Sequence, residues 1–168
     1  MSFVVVVGFF SFFFGDLVIF ISVNVFVAIR FLMRRAYELA VATAYCFSGR
    51  SPLFLWSDEI SFNAPVSIGD VLRLDAYVVA TEPDRERPRI HCEVFASVLQ
   101  PEDCNSALSN RFAFTFCIDS QSTADSSLPV IPTVLPSITS EAIKQLEILD
   151  ASSKIPDWEG PPTPTSIR

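Results

Sequence analysis

The sequence predicts an α+β domain in which one long buried helix is wrapped by a curled antiparallel sheet. Three observations lead there. A stretch from Phe31 to Phe47 has neither Gly nor Pro and carries Ala at 36, 40, 42 and 44, which favours helix. Three later segments alternate apolar and polar residues with the period of a half-buried strand. The joins between those segments are short, charged and proline-bearing, as in hairpins of an antiparallel meander.

The chain starts with an anomaly. In residues 1–30 all but nine positions are Phe, Leu, Ile, Met or Val, and eight of the 16 Phe of the whole sequence lie there. Residues 3–29 contain a single charge, Asp16, and as a helix they are long enough to cross a hydrocarbon core of about 30 Å. An ionised Asp in mid-span opposes that at a cost of roughly 2.5 to 3.5 kcal/mol. A basic cluster, Arg30, Arg34 and Arg35, follows the apolar run and would keep the next domain cytoplasmic if the run were an anchor. Those five apolar residue types all have U in the second codon position. Residues 1–30 therefore read either as a membrane or aggregating segment, or as the product of a wrongly assigned gene start or a retained intron. No basic residue precedes Arg30, so neither a secretory signal nor a transit peptide is visible.

The helix from Phe31 ends at Ser48-Gly49, with Pro52 just beyond. Apolar or small residues occur on every side of it, as expected of a helix buried all round. Leu53 to Phe62 is the first strand after it, and the Pro65 to Gly69 turn follows. Val71 to Ala80 puts Leu72, Leu74, Ala76 and Val78 on one face and Arg73, Asp75 and Tyr77 on the other. Arg89 to Leu99 repeats this with Ile90, Cys92, Val94, Ala96 and Val98 inward, and Arg111 to Ile118 with Phe112, Phe114, Phe116 and Ile118. The connections are Pro83 to Pro88 and Pro101 to Asn105. A helix followed by a sheet bent around it is the hotdog arrangement. The chain then turns Ser- and Pro-rich, Ser140 to Leu149 is expected to form a short capped helix, and 150–168 is expected to be a disordered tail. The domain map is thus 1–30 anomalous, 31–118 hotdog, 119–149 extension and 150–168 tail.

Composition removes several functions. Asp16 and Arg30 cancel, so the net charge of -7 sits on residues 31–168, the wrong sign for a nucleic-acid partner. Cys46, Cys92, Cys104 and Cys117 have no C-x-x-C spacing and read as reduced thiols. His91 is the only histidine, so neither a His-rich metal site nor an ordinary catalytic triad is supported. Neither a metal nor a cofactor is expected. His91, beside Glu93 on the polar face of its strand, reads as a solvated strand histidine, and Asp58 and Glu59 as strand-edge or partner-facing charges.

Phe31-Leu32-Met33-Arg34-Arg35-Ala36-Tyr37-Glu38-Leu39-Ala40 resembles the hotdog helix of acyl-CoA thioesterases, in particular the mitochondrial, brown-fat-inducible type with two tandem hotdogs. Asp58-Glu59-Ile60-Ser61-Phe62, the run Pro65-Val66-Ser67-Ile68-Gly69-Asp70-Val71-Leu72, and Ser109-Asn110-Arg111-Phe112-Ala113-Phe114-Thr115-Phe116 resemble later motifs of that family, so the likeness covers about 31–118. It implies a single, C-terminal hotdog unit acting on fatty acyl-CoA without a covalent nucleophile. A second hotdog unit, from a homodimer or a separate chain, would complete its site, and the setting would be mitochondrial.

In that family an Asn-x-Phe-Gly-Gly segment leads into the helix, whose first amides face the thioester carbonyl. The resemblance implies catalytic roles for Glu38, as general base with a raised pKa, and for Asn24. It implies substrate contacts for Ile29, Arg30, Phe31 and Asn110. From its sequence neighbours alone Glu38 also reads as the i, i+4 ion-pair partner of Arg34. The family's Gly-Gly is missing: Ile29 and Arg30 stand there, and Asn24-Val25-Phe26 recovers Asn-x-Phe only with a two-residue insertion. The expectation is thus a thioesterase unit whose activity is impaired. The alternative is a non-catalytic hotdog fragment for dimerisation or acyl binding, with membrane association through 3–29.

Overall fold

The computed structural model describes residues 2–6, 17–64, 66, 70–83, 87–100, 105–118 and 131–155. Its elements are β1 (Ser2–Val6), α1 (Leu17–Ser48), β2 (Pro52–Phe62), β3 (Val71–Glu82), β4 (Arg89–Gln100), β5 (Asn105–Ile118) and α2 (Thr139–Ser153). The strands form one sheet in the order β1-β3-β4-β5-β2, antiparallel throughout. β3, β4 and β5 are the expected meander, and β2 returns to the far side of β5, where Pro52 faces Ile118 and Phe62 faces Asn110. Register shifts at Phe54/Trp56, Ser57/Ile60, Val78/Ala80 and Ala96/Ser97 add the local twist that bends a sheet. Residues 119–130 of the expected 119–149 extension, and the expected tail beyond Ile155, lie outside the described residues.

Helix α1 starts far upstream of Phe31, the expected boundary. From Leu17 to Ser48 there is no Gly or Pro, so nothing in the backbone interrupts hydrogen bonding between the apolar stretch and the helix after it. Its end is as expected. Gly49 takes φ +68°, which a side chain at Cβ would strain, and its amide donates to Tyr45 O at 2.8 Å.

Leu32, Ala36, Leu39, Ala40 and Ala44 are buried on one stripe of α1, at helical spacing. They meet Leu72, Leu74 and Ala76 of β3, Ile90, Cys92, Val94 and Ala96 of β4, and Phe112, Phe114 and Phe116 of β5. The helix is not buried all round: Arg34, Arg35, Tyr37, Glu38, Tyr45 and Cys46 are exposed, because one sheet covers only one side of it. Tyr37 lies edge-on to Phe54 and Phe114, with ring centroids 5.6 and 5.9 Å apart.

The other face of the sheet is also covered. Arg89, His91, Glu93 and Thr115 are all buried, although they alternate with the core residues. The cover is α2, whose Lys144 and Ser152 reach Glu93 and Arg89. This helix is longer than expected and has a different start: Ile138 is the N-cap and makes no side-chain cap. Instead Ser137 N donates to the Glu141 carboxylate at 2.8 Å.

Phe116 is fully buried, whereas Phe54, opposite it on β2, is 46% exposed. Phe116→Ala is expected to lower stability by about 3–5 kcal/mol, the usual range for emptying a core aromatic site, and Phe54→Ala by less than half as much. Urea unfolding midpoints of the two variants check this; equal losses would mean that the core lies elsewhere.

Candidate active site

Glu38 lies on the exposed side of α1. Helical spacing puts Arg34 one turn before it and Arg35 beside that. Arg34 Nε donates to Glu38 Oε1 at 3.0 Å, and Arg35 Nη1 to Oε2 at 2.7 Å. Hydrogen bonds from Arg34 and then Arg35 hold the Glu38 carboxyl below the ordinary glutamate range, against an opposing contribution from desolvation. The raised pKa expected for a carboxylate among apolar side chains is therefore corrected. This face of α1 is open to solvent, and the ionised form is hydrogen-bonded on both oxygens. The guanidinium of Arg35 also sits over the Phe31 ring, 5.2 Å from its centroid, and Arg30 is exposed.

Asn24, Ile29, Arg30 and Phe31 all fall inside α1. The side chains of Asn24 and Ile29 are outside the described ones. The backbone is informative: within an α-helix each N–H bonds to the carbonyl four residues earlier. The amides of Ile29, Arg30 and Phe31 are therefore spent on the helix and are not the open donors of a helix start. Asn110 lies on the sheet instead. It is buried on β5, its Oδ1 accepts from Ser109 Oγ, and its Nδ2 lies 3.5 Å from Ser61 O on β2. The structure brings Glu38, Arg34, Arg35 and Phe31 together and leaves Asn110 apart.

A second polar constellation lies between the outer face of the sheet and α2. His91 Nδ1 is 2.9 Å from Thr115 Oγ1, its neighbour across the β4–β5 pair, and Nε2 is 2.9 Å from Glu82 Oε1. His91 is thus buried and bonded at both nitrogens rather than solvated, because α2 closes over the polar face of β4. Thr115 Oγ1 donates to Asp58 Oδ2 at 2.8 Å. Glu93 accepts from Arg111 Nη2 at 2.6 Å and from Lys144 Nζ. Glu59 pairs with Arg111 at 3.4 Å. Asp58 and Glu59 do stand on an edge strand, β2, yet both are tied inward to β5. A cavity of about 210 Å³ is lined by Asp58, Glu59, His91, Glu93, Arg111 and Lys144 among others.

Sequence reasoning missed Glu82, Thr115, Lys144 and Ser152. The available signal was the run of ionisable side chains at Arg89, His91 and Glu93 on one strand face, more charge than a solvated face needs. Among the described residues no group of His, Cys, Asp and Glu is arranged to hold a metal. Nor is any helix among them long and apolar enough to cross a membrane. Cys46, Cys92 and Cys117 are thiols outside any disulfide, and burial pushes Cys92 up to about 12, too high for a thiolate at neutral pH.

No protein-family model matches the chain. By sequence it is similar to acyl-coenzyme A thioesterase 2, chloroplastic, from Humulus lupulus, with 42% identity over 126 residues covering 74% of this chain and 29% of that protein. It is also similar to the human acyl-coenzyme A thioesterase 9, mitochondrial, with 35% identity over 117 residues covering 70% of this chain and 24% of that one. The chain thus spans less than a third of the length of these curated relatives. Among solved structures it is similar to an acyl-CoA hydrolase from Staphylococcus aureus, at TM-score 0.59 and 20% identity, over 73% of this chain and 74% of that one. At that identity the likeness establishes the hotdog fold.

The Glu38 geometry has a measurable consequence. A carboxyl whose pKa is lowered by folding adds stability above its unfolded pKa and loses it as pH falls through the folded value. Carbon-13 titration should find Glu38 with a midpoint below that of an ordinary glutamate, and Arg34→Gln should move it upward. A wild-type midpoint above the ordinary value would contradict the two arginine contacts.

Proposed function

Because the chain carries a hotdog unit of the acyl-CoA thioesterase family, we propose that it binds acyl-CoA along the exposed face of α1 and hydrolyses the thioester once a second hotdog unit covers that face. The observation that carries this reading is the position of Glu38. It is the carboxylate of the family-like helix motif, and it stands on the one side of α1 that its own sheet leaves open. The second unit is another copy of this chain or a separate one.

The chemistry asks for a base and for stabilisation of an oxyanion. Glu38 takes a proton from water as the water oxygen attacks the thioester carbon. The C–S bond then breaks, giving fatty acid and free CoA. A carboxylate held ionised by Arg34 and Arg35 is a weaker base than one raised toward neutrality, but it is in the reactive form over a wider acid range. Arg30, Arg34 and Arg35 supply positive charge for the phosphates of CoA, and the ring of Phe31 lies against Arg35. Asn24 is retained as a catalytic candidate on its likeness to the family's asparagine, and Asn110 as a groove residue acting through the β2–β5 edge. The relatives are named for the chloroplast or the mitochondrion, which supports an organellar setting, and we take it to be the mitochondrion.

A second reading has a specific observation behind it. The amides of Ile29, Arg30 and Phe31 are committed within α1, so the oxyanion donors that the family draws from the helix start are absent at that point. A hotdog with a carboxylate but no such donors would bind acyl-CoA or pair with another unit without turning it over.

Thiol release from acyl-CoA by the purified chain separates the two. For a hydrolase, Glu38→Ala should reduce turnover by roughly 10²-fold or more, the range for removing a general base, with its acid limb below that of an ordinary glutamate. Wild type no faster than Glu38→Ala would remove the catalytic assignment. Calorimetric titration with CoA then tests the binding reading, in which Arg30→Ala and Arg34→Ala should each weaken affinity.

A further inference from the structure

We propose that the acyl chain lies in an apolar groove beside the C-terminal end of α1, and that this groove takes up about ten carbons before the chain runs past the end of the helix. The subsite belongs to the acyl-CoA reading of α1 and stands only with it. Arg34, Glu38, Ala42 and Cys46 follow one another at four-residue intervals, which places them in one row on the helix surface. Every member of the row is exposed or half-buried. It therefore presents, in order, a cation, the carboxylate, a methyl group and the mouth of the groove.

The groove has a volume of about 520 Å³, within the usual range for a small-molecule site. Thr43, Cys46 and Phe47 of α1 line one side, Ala76 to Val78 of β3 the other, and Val134 completes the lining. None of these side chains is charged. β1 pairs with β3 from Val71 to Asp75, and the groove opens just past that pairing. Thr43 offers it no spare donor, because its hydroxyl donates to Leu39 O at 2.8 Å. Val134 is held on both sides of its backbone: its N–H donates to Thr81 Oγ1 at 3.2 Å, and its carbonyl accepts from Gln145 Nε2 at 3.0 Å. The segment leading into α2 thus supplies part of the lining.

Charge sets the direction in which acyl-CoA lies on the row. Arg30, Arg34 and Arg35 all precede Glu38, and no charged residue follows it before the end of the helix at Ser48. With the phosphates drawn to the arginines, the apolar end of the ligand points toward Thr43 and beyond. From Glu38 to Cys46 the helix rises by about 12 Å, roughly the extent of a ten-carbon chain. Past Ser48 there is no helix flank to form a wall, so a longer chain emerges into water. Each methylene inside the groove should strengthen binding by about fourfold, and each one beyond it should add nothing.

S-alkyl-CoA thioethers, which resist hydrolysis, test this on the full chain whether or not it turns substrate over. Calorimetric affinity should climb by about fourfold per methylene and level off near about ten carbons. In Cys46→Trp the levelling should come at a shorter chain. If that variant does not fold, wild type answers alone, since Cys46 is an exposed thiol. Decyl-CoA at about ten times its Kd should slow alkylation of Cys46 by N-ethylmaleimide about tenfold, read by peptide mass spectrometry, whereas CoA without a chain should not. Equal affinity for CoA and all its thioethers, or full Cys46 reactivity with decyl-CoA bound, would overturn the groove and leave the function proposed above standing. Affinity still climbing by the same factor past about sixteen carbons would overturn the length limit. CoA binding that is absent, or indifferent to Arg34→Ala, would instead remove the acyl-CoA reading and the subsite with it.

Discussion

Contact between the alanine side of α1 and the inner faces of β3 and β4 sets the distance between helix and sheet. Ala36, Ala40 and Ala44 are fully buried, and with only a methyl group at each position the helix can lie close against β3 and β4, whose Leu72, Leu74, Ala76, Ile90, Val94 and Ala96 share its core. A curled single sheet can enclose one flank of a helix and no more. The other flank, with Tyr37, Glu38 and the arginines, is left to solvent or to a partner. That constraint explains why the family-like carboxylate is exposed in an isolated chain; on the proposed function it would belong to half of a site.

The sheet's two faces solve the burial problem differently. The inner face excludes polar groups. The outer face buries Arg89, His91, Glu93 and Thr115 under α2 and pairs them. Burying charge in this way adds little net stability compared with an apolar filling, but removing one partner leaves the other stranded at a cost of about 3–5 kcal/mol. α2 is thereby fixed in register rather than merely attached, since Lys144 and Ser152, two turns apart, must each find its own acceptor. The exposed Glu38 system is of another kind. Its arginines, Arg34 and Arg35, are exposed and pair across the helix surface, so on the proposed function they would be able to exchange Glu38 for a phosphate.

Much of this was legible from residues alone. The alternation in β3, β4 and β5 named the inner core correctly from Leu72 to Ile118, and the Arg34 to Glu38 spacing announced the ion pair that the structure contains. Two features were not legible, for physical reasons. The start of α1 is expected at Phe31 because residues 1–30 read by composition as a separate apolar segment, whereas the backbone runs helical from Leu17, with no Gly or Pro to interrupt it. The burial of His91 depends on α2, and an alternating strand pattern records which face a residue is on without recording what covers that face. Ser152, the residue that closes the contact, has no mark in the sequence to set it apart from Ser153.

The length of α1 bears directly on the chemistry. In a helix interior, freeing one amide for a substrate carbonyl means breaking an intrahelical bond and leaving its carbonyl partner unmet, at about 1–3 kcal/mol if that group is buried. A family site with glycines at the helix start avoids this, because the first amides have no partner to lose. On the proposed function, Ile29 and Arg30 would stand where close approach is needed, and their amides are committed within α1 where open donors would be needed. Both deficits act on the oxyanion and neither on the base. Donors supplied by a second hotdog unit would remedy the shortage of amides and leave Glu38 in place, whereas no change at Glu38 could remedy it. On the proposed function, catalysis by this chain would therefore depend on what covers α1 more than on the carboxylate that α1 presents.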